Sequence, residues 1–505
     1  MNYRSRGRAC SAPLAALAVA LALTGCATNR PSPPLPASPA LPALPALVRD
    51  IDAILSQPAL QHGYWGVVVK SLDKDDETLY AMNARKLMLP ASNMKIVTLA
   101  AAAEKLGWDY RYETTILAGG SIDAGMLQGD LVVVGTGDPS LVAGDGMADR
   151  VFAEWADHLK QRGIRTIAGR IIGDDNGFEE ETLGFGWSWD DLPDDYAAGV
   201  GALQFNENAV RVTVAPGRAA GESAAISVTP DGSGLVIANA VATGAPGSPA
   251  SINTRRLPGN MRLELRGSIP LDGAPSTLAA SVDNPTLFFV GALRIALIAN
   301  GIDVRGPAVD IDDVWDAPRP TSAPLVSYRS PPLSELAVRL MKDSQNQYAE
   351  TLLKTVSDGA GVRSAAAGRL AAQTILEGWG VPASELILRD GSGLSRYDFV
   401  TPGAIVAILA HVDRDQRLRG PFDASLPIAG RDGTLSTRMK GTPAEGNAHA
   451  KTGSMTGVRA LSGFVTTADG ERLAFSIVAN NFETPAGVVT AATDTIVVSL
   501  AKFRR

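Results

Sequence analysis

An alanine-rich run over residues 90–107 constrains the fold and the chemistry of this chain more than any other stretch. It starts at Pro90, contains four consecutive alanines and reaches Gly107, a pattern that predicts a helix. Ser92 and Lys95 stand three residues apart at its start and share one helix face. A serine hydroxyl is a poor nucleophile without an adjacent base. The pair therefore indicates nucleophilic catalysis, although this spacing alone is common in proteins.

Two further short motifs follow in the second half of the chain. Ser344 and Asn346 lie between residues 333–342 and 348–356, whose apolar patterns predict helices. Lys451 opens a Lys-Thr-Gly-Ser sequence on the first strand of a predicted antiparallel meander. Each motif is weak by itself, and their order along one chain is the informative feature.

The sequence pattern of residues 112–318 differs from that of the sequence on either side. Short β-like runs alternate with glycine-rich turns, and residues 147–162 between them show a helical pattern. We expect a β-rich insertion here. Within it, residues 187–196 are dense in aromatic and acidic side chains, which suits a solvated acidic loop as well as a binding segment.

Residues 1–25 are typical of an export signal. Three arginines precede an apolar stretch at residues 12–23 that is short for a membrane span. It ends in a sequence that resembles a bacterial lipobox and predicts Cys26 as the lipidated first residue; an ordinary signal cut near Ala27 is the alternative. Because the second cysteine, Cys10, lies inside the signal, we expect no disulfide in the mature fold.

Composition and charge limit the classes of binding partner and the cellular locations that this chain can have. Residues 26–46 are rich in proline and alanine and predict a tether between the lipid and the fold. The net charge is −7 and becomes more negative once the signal's arginines are removed, which argues against a nucleic-acid partner. We expect a periplasmic protein held by its lipid. Since Ala27 and not an aspartate follows the cysteine, we expect the outer membrane.

Together, the three motifs resemble those of the penicillin-binding protein and serine β-lactamase superfamily. The long interval between the first two motifs is unlike that of class A β-lactamases. With a Gly/Ser-rich loop at residues 390–396 and the stretch at residues 426–430, it resembles the peptidase S13 family. These are D-alanyl-D-alanine carboxypeptidase/endopeptidases of the penicillin-binding protein 4 type. The resemblance covers residues 47–503.

The resemblance implies a fold and a domain order. Residues 47–111 and 319–505 would form an α/β (α+β) transpeptidase/β-lactamase-like catalytic domain, an antiparallel sheet flanked by helices. Residues 112–318 would carry the β-rich inserted domains, one nested within another.

The resemblance also implies catalytic roles. Ser92 would attack the carbonyl between the two terminal D-alanines of a peptidoglycan stem peptide and form an acyl-enzyme. Lys95 would be its base, which requires burial or a cation such as Lys451 to lower the lysine pKa. Ser344 would pass a proton to the leaving amine, and Asn346 would hydrogen-bond the peptide. Water would release the acyl group, and β-lactams would be covalent inhibitors.

Further residues would bind the substrate. Thr452 and Ser454, on either side of Gly453, would hold the terminal carboxylate, and the N–H groups of Ser92 and Ser454 would form the oxyanion hole.

A third set would recognise the side chain at the third position of the stem peptide in a diaminopimelate-type wall. Asp191 would bind its amine, Tyr196 would pack against it, and Arg396 would pair with its carboxylate. No metal or cofactor is implied, since the four histidines are scattered along the chain.

Two alternatives stay open at this point. One is a β-lactamase or esterase on the same framework, which the rate of deacylation on penicillin against a D-Ala-D-Ala peptide would separate. The other is a non-catalytic, cell-wall-binding lipoprotein, which stoichiometric acylation by penicillin would exclude.

Overall fold

The regular elements form where the apolar pattern is strongest, in a computed structural model that describes residues 43–505 except 75–76, 145, 321–322 and 358–360. The predicted signal, Cys26 and most of the predicted tether lie outside these residues. The helices of the described residues are α1 (Ala43–Leu55), α2 (Met94–Leu106), α3 (Met147–Gln161), α4 (Pro285–Ala299), α5 (Leu333–Lys342), α6 (Asn346–Thr355), α7 (Ala365–Gly378), α8 (Pro402–Arg414), α9 (Gln416–Ser425) and α10 (Ala486–Lys502). Among these described helices, none has both the length and the apolar composition needed to cross a membrane.

The strands lie in groups between these helices along the chain. They are β1 (Tyr64–Ser71), β2 (Thr78–Met82), β3 (Glu113–Asp123), β4 (Met126–Gly135), β5 (Thr166–Ile167), β6 (Ile171–Asp174), β7 (Ala209–Ala215), β8 (Ala225–Thr229), β9 (Val236–Gly244), β10 (Ser251–Arg255), β11 (Arg262–Pro270), β12 (Ser276–Ser281), β13 (Asp303–Val304), β14 (Ala308–Asp310), β15 (Val326–Arg329), β16 (Leu386–Ile387), β17 (Phe399–Val400), β18 (His449–Met455), β19 (Val458–Thr466) and β20 (Arg472–Asn480).

An antiparallel sheet in the order β18-β19-β20-β1-β2 forms the centre of the predicted catalytic domain. Successive side chains of a strand point to opposite faces, and both faces of this sheet are apolar. Val67 and Val69 of β1 belong to a buried cluster with α1 and α10, whereas Val68 belongs to another with α2 and α8. The predicted antiparallel sheet flanked by helices is confirmed.

The alanine-rich run forms α2, in the second of these clusters. Residues 94–103 are all buried, which small side chains allow because neighbouring helices can approach closely. The predicted helix is confirmed with one difference at its start. Ser92 lies in a 3₁₀ turn, Ala91–Asn93, immediately before α2. Ala91 has a φ of 46°, which a right-handed α-helix cannot accommodate, so the α-helix begins only after this turn.

The insertion contains three more sheets, and its predicted β-rich character is confirmed. The largest joins β3, β4, β5, β6, β13, β14 and β15, and the two smaller ones join β7, β8, β12 and β9, β10, β11. Phe152 and Trp155 of α3 pack with Phe289 of α4 in the core of the insertion. Strand β15 follows the predicted boundary at residue 318 yet pairs with β3, so the strands by which the chain enters and leaves lie side by side. The nesting of one inserted domain in another stays a prediction.

Candidate active site

The first turn of α2 brings Lys95 against Ser92. Lys95 Nζ donates to Ser92 Oγ at 3.1 Å, to Asn346 Oδ1 at 2.6 Å and to the Ser392 carbonyl oxygen at 2.9 Å. The lysine is fully buried, whereas Ser92 is half-buried. An amine within hydrogen-bond distance of a partly accessible hydroxyl is the arrangement that a serine nucleophile and its base require.

Burial lowers the pKa of the Lys95 amine to about 7, because the ammonium ion loses its hydration. The carboxylates of Asp390 and Glu350 act in the opposite direction and raise that pKa. Of the two causes that the sequence suggests, burial and the Lys451 cation, burial has the larger effect on the pKa of Lys95. The amine can therefore accept a proton near neutral pH, which a lysine of ordinary pKa cannot.

The third motif supplies a second buried lysine. Lys451 Nζ donates to Ser344 Oγ at 2.8 Å and to the Thr452 carbonyl oxygen at 2.9 Å. Burial, followed by the positive charge of Lys95, holds the pKa of Lys451 well below its usual range. Ser344 has a φ of 60°, a left-handed conformation that costs a non-glycine residue about 1–3 kcal/mol. The contact with Lys451 helps to hold the serine in that conformation.

Strand β18 lies close against the turn that carries Ser92, and Gly453 makes this approach feasible. A Cβ at Gly453 would lie 2.6 Å from the Pro90 carbonyl oxygen, closer than a side chain tolerates. Asn93 Nδ2 donates to the Lys451 carbonyl oxygen at 3.0 Å and ties the turn to the strand. The first and third motifs are thus joined by main-chain packing.

The Ser92 hydroxyl faces a cavity of about 470 Å³. Eight of the residues singled out from the sequence line it: Ser92, Asp191, Tyr196, Ser344, Asn346, Arg396, Thr452 and Ser454. Lys95 and Lys451 are fully buried next to this lining. The structure therefore brings together residues from five segments that are far apart in the sequence.

The same cavity has lining residues to which the sequence assigned no role: Gly393, Leu394, Thr434, Met455 and Thr456. Four of them are adjacent to a recognised motif or loop, and that adjacency is a signal that could have found them. Thr434 has no such signal. Its Oγ1 lies 2.8 Å from Thr452 Oγ1, so it adds a second hydroxyl beside the predicted carboxylate site.

The aromatic and acidic segment of the insertion reaches the catalytic residues. Trp187 Nε1 donates to Asp390 Oδ2 at 2.8 Å, and Asn346 Nδ2 donates to the Tyr196 carbonyl oxygen at 2.7 Å. These bonds fasten the segment at both ends to the catalytic domain. The segment is a wall of the cleft, and not a loop surrounded by solvent.

Charges of both signs line the cleft beside that wall. The Tyr196 hydroxyl lies 2.9 Å from Asp191 Oδ1 and 2.9 Å from Asp194 Oδ2. Burial, and then these hydrogen bonds, raise the pKa of Tyr196, so its hydroxyl keeps its proton. Arg396 is exposed and lines the same cavity. A ligand that carries both an amine and a carboxylate could place its amine at Asp191 and its carboxylate at Arg396.

One group of carboxylates in the described residues has the spacing of a metal site. Oxygens of Asp175, Asp310 and Asp312 lie within 4.8 Å of one another. Asp175 already accepts a hydrogen bond from Thr286 Oγ1, and Asp310 accepts one from Asn284 Nδ2. None of the three lines the Ser92 cavity, and we assign no ion to them.

Known proteins of similar sequence and fold point to the same chemistry. A model of the D-Ala-D-Ala carboxypeptidase 3 (S13) family matches residues 47–503. The D-alanyl-D-alanine carboxypeptidase of Actinomadura sp. (strain R39) is 38% identical over 469 residues, which cover 90% of this chain and 85% of the relative. The D-alanyl-D-alanine carboxypeptidase DacB of Haemophilus influenzae is 30% identical over 424 residues, 83% of this chain and 86% of the relative.

A solved structure from Haemophilus influenzae has a fold similar to that of this chain. The crystal structure of its penicillin binding protein 4 (dacB) has a TM-score of 0.78 at 28% identity, and the match covers 90% of this chain and 99% of that one. A second crystal structure of that protein is complexed with a β-lactam.

Proposed function

The chain belongs to the peptidase S13 family of D-Ala-D-Ala carboxypeptidases, and on this basis we propose that Ser92 removes the terminal D-alanine of peptidoglycan stem peptides through an acyl-serine intermediate. The 3.1 Å contact between Lys95 Nζ and Ser92 Oγ carries this proposal. Cleavage of D-Ala-containing cross-links by the same centre, an endopeptidase activity, belongs to the same chemistry.

In the acylation step, the neutral Lys95 amine takes the Ser92 proton while Oγ attacks the carbonyl carbon of the penultimate D-alanine. The new C–O bond turns the carbonyl oxygen into an oxyanion. The N–H groups of Ser92 and Ser454 stabilise it, at about 3–4 kcal/mol for each donor. The lowered pKa of Lys95 supports its role as the base.

Collapse of the tetrahedral intermediate breaks the C–N bond, and the departing D-alanine amine needs a proton. Ser344 Oγ supplies it and is re-protonated from Lys451, whose Nζ lies 2.8 Å away. Asn346 holds Lys95 and hydrogen-bonds the peptide. The proton that Lys95 took from Ser92 then replaces the one that Lys451 gave up, so Lys95 is neutral again. A water molecule attacks the acyl ester while Lys95 takes its proton, and Lys95 returns that proton to Ser92 Oγ as the ester C–O bond breaks.

Recognition of the substrate uses the rest of the cleft. The hydroxyls of Thr452, Ser454 and Thr434 bind the terminal carboxylate, since hydroxyl donors suit an anionic end group. At the other side, Asp191 binds the side-chain amine of a diaminopimelate residue, Tyr196 packs against its stem, and Arg396 pairs with its carboxylate.

The direct test is incubation with purified pentapeptide muropeptides, with the products read by mass. We expect release of one D-alanine from each pentapeptide, and monomers from cross-linked dimers to the extent of the endopeptidase activity. Benzylpenicillin should acylate the protein and be released much more slowly than the peptide is turned over. Faster turnover of penicillin than of peptide would identify a β-lactamase instead. If neither a peptide product nor a penicillin adduct forms, the protein is a non-catalytic binding protein.

Asp191→Asn and Arg396→Ala should each lower kcat/KM on diaminopimelate peptides about 10- to 100-fold, because a charged hydrogen bond in a partly buried cleft contributes about 1.5–3 kcal/mol. A generic acyl-D-Ala-D-Ala that lacks this side chain should be affected much less. Asp190→Asn is the matched control, since this neighbouring acid is exposed and does not line the cavity. Equal losses on both substrates would show that the pocket is wrongly assigned while the Ser92 mechanism stands.

The N-terminal sequence supports an anchored periplasmic location, which we include in the proposal. The apolar stretch before Cys26 and its lipobox-like ending predict cleavage and lipidation at this cysteine. Two or more acyl chains hold a protein stably on a membrane, whereas one chain does so only marginally. Residues 26–46 then span the distance from the outer membrane towards the peptidoglycan.

Cells that express the full chain should incorporate labelled palmitate into the wild type and not into Cys26→Ser. Cys10→Ser is the matched control, because this second cysteine lies within the predicted signal and should not change the labelling. Equal labelling of Cys26→Ser and the wild type would rule out the anchor. It would leave the catalytic proposal untouched.

A further inference from the structure

Glu350 is a buried carboxylate that the mechanism above does not use. It lies on α6, one helical turn after Asn346, and is 5% exposed. Its two oxygens accept the Gly391 N–H at 3.0 and 2.9 Å, and Oε1 also accepts the Ser392 N–H at 2.7 Å. A carboxylate that takes up two consecutive backbone N–H groups fixes the main chain of that loop.

The loop that Glu350 holds is the one that contacts the proposed base. Ser392 offers its carbonyl oxygen to Lys95 Nζ at 2.9 Å. The loop also lies very close to α6, because a Cβ at Gly391 would be 2.5 Å from the Ala349 carbonyl oxygen. Helix α6 therefore positions Lys95 in two ways, directly through Asn346 and indirectly through Glu350 and the Ser392 carbonyl.

Glu350 also lines a second cavity, of about 220 Å³, which shares no lining residue with the Ser92 cleft. Its charged walls include Lys354, Arg369, Arg389, Glu179 and Glu181. Lys354 is hydrogen-bonded within the walls of this cavity, since its Nζ donates to the Glu181 carbonyl oxygen at 2.6 Å. A substrate in the cleft would leave this second cavity open.

We propose that Glu350 is a positioning residue for Lys95, which holds the Lys95-binding loop and, by its charge, sets the pH at which Lys95 can act as the base. The second cavity gives Glu350 its own route to solvent protons, so its protonation adjusts while substrate covers the cleft. The inference rests on the proposed role of Lys95.

The charges around Glu350 and Lys95 determine in which direction the pKa of Lys95 should change when Glu350 is replaced. Besides Glu350, Lys95 faces the Asp390 carboxylate and the Lys451 amine. Burial, followed by the charge of Asp390, raises the pKa of Glu350 to about 7, so that it changes charge in the same pH range as Lys95. An ionised Glu350 raises the pKa of Lys95. Removing that negative charge must therefore lower the pKa of the base.

The test is the pH dependence of Ser92 acylation by benzylpenicillin, followed by intact-protein mass. The acid limb of the profile is the range in which the acylation rate falls as the pH is lowered. In Glu350→Gln this limb should move to lower pH by about one unit, as loss of one nearby buried charge predicts. The rate on the plateau should also fall, because glutamine places an NH₂ donor where Oε2 accepts the Gly391 N–H, and its neutral oxygen binds N–H groups more weakly than a carboxylate does. A limb that stays in place, with only a lower rate, would show that Glu350 is structural and overturn the proposal.

Asp398→Asn is the matched control. Asp398 is buried in the same loop and accepts the Arg389 N–H at 2.6 Å. Burial, followed by the charge of Asp390, raises its pKa well above the usual carboxyl range, and the Gly391 and Ser392 N–H groups bind Glu350 and not Asp398. We expect the acid limb of this variant to coincide with that of the wild type. An equal shift in both variants would contradict a specific role of Glu350.

If Glu350→Gln does not fold, infrared spectra of ¹³C-glutamate-labelled protein provide the second measurement. The background is Glu180→Gln, because a hydrogen bond with Asp312 raises the pKa of exposed Glu180 to about 7 as well. A buried carboxylic-acid band should appear along the acid limb of acylation. Absence of such a band would overturn the proposal, whereas absence of any adduct on wild-type Ser92 would instead overturn the proposed function.

Discussion

Replacing Ser92 with alanine is expected to abolish covalent labelling by benzylpenicillin and to lower kcat on D-Ala-D-Ala peptides by about 10⁶-fold, as loss of the nucleophile does in other serine enzymes. The variant keeps the helix, and Lys95 keeps its contacts with Asn346 and Ser392. Intact-protein mass should show a single penicillin adduct on the wild type and none on Ser92→Ala.

The fold of this variant should be unchanged, because Ser92 is half-buried and its hydroxyl accepts its hydrogen bond from Lys95, a partner that keeps its other contacts. Thermal unfolding of Ser92→Ala should therefore resemble that of the wild type. Ser499→Ala is the matched control, since it removes a hydroxyl on the exposed side of α10 that bonds only the Thr495 carbonyl oxygen. A penicillin adduct that persists on Ser92→Ala would show that another residue is the nucleophile.

The second large effect concerns the base. Because burial lowers the pKa of Lys95 to about 7, the amine is protonated below that pH and neutral above it. The acylation rate of the wild type should therefore rise through about pH 7 and fall about tenfold for each pH unit below it. Lys95→Arg keeps the positive charge but cannot lose its proton, and we expect about a 10²- to 10⁴-fold loss of kcat/KM at neutral pH.

Lys105→Arg is the control for this substitution, because Lys105 lies in the last turn of the same helix, away from the cleft. It should leave both the rate and the pH dependence as in the wild type. Full activity in Lys95→Arg would exclude Lys95 as the base, whereas an acid limb near the ordinary pKa of lysine would contradict the lowered pKa of Lys95. The Ser92 adduct could still form in that case, with another group as proton acceptor.

Much of the architecture could be predicted from local sequence. The helices around Ser92 and Asn346, the β18–β20 meander and the closing helix α10 follow from apolar periodicity and their end residues. The start of α2 was not predictable in detail. The 3₁₀ turn depends on the left-handed conformation of Ala91, which reflects packing against β18 and not an intrinsic preference of alanine.

The residues of the candidate site were predictable where they belong to a recognisable motif. Ser92, Lys95, Ser344, Asn346 and Lys451 were singled out because their order resembles that of a known family, and they lie together. Glu350 and Thr434 carried no such signal. Their proximity to the site arises from α6 and from the segment before β18, so no sequence spacing relates them to Ser92.

By itself, the sequence determined the chemical inventory: a serine with a lysine one turn on, a second lysine on a strand, and a β-rich insertion between them. Those features follow from residue type and local periodicity, which act over a few residues. The tertiary structure alone decided that Lys95 is buried enough to be a base and that Asp191 and Arg396 line one cavity. Desolvation and charge proximity depend on segments far apart in the chain, and only packing brings those segments together.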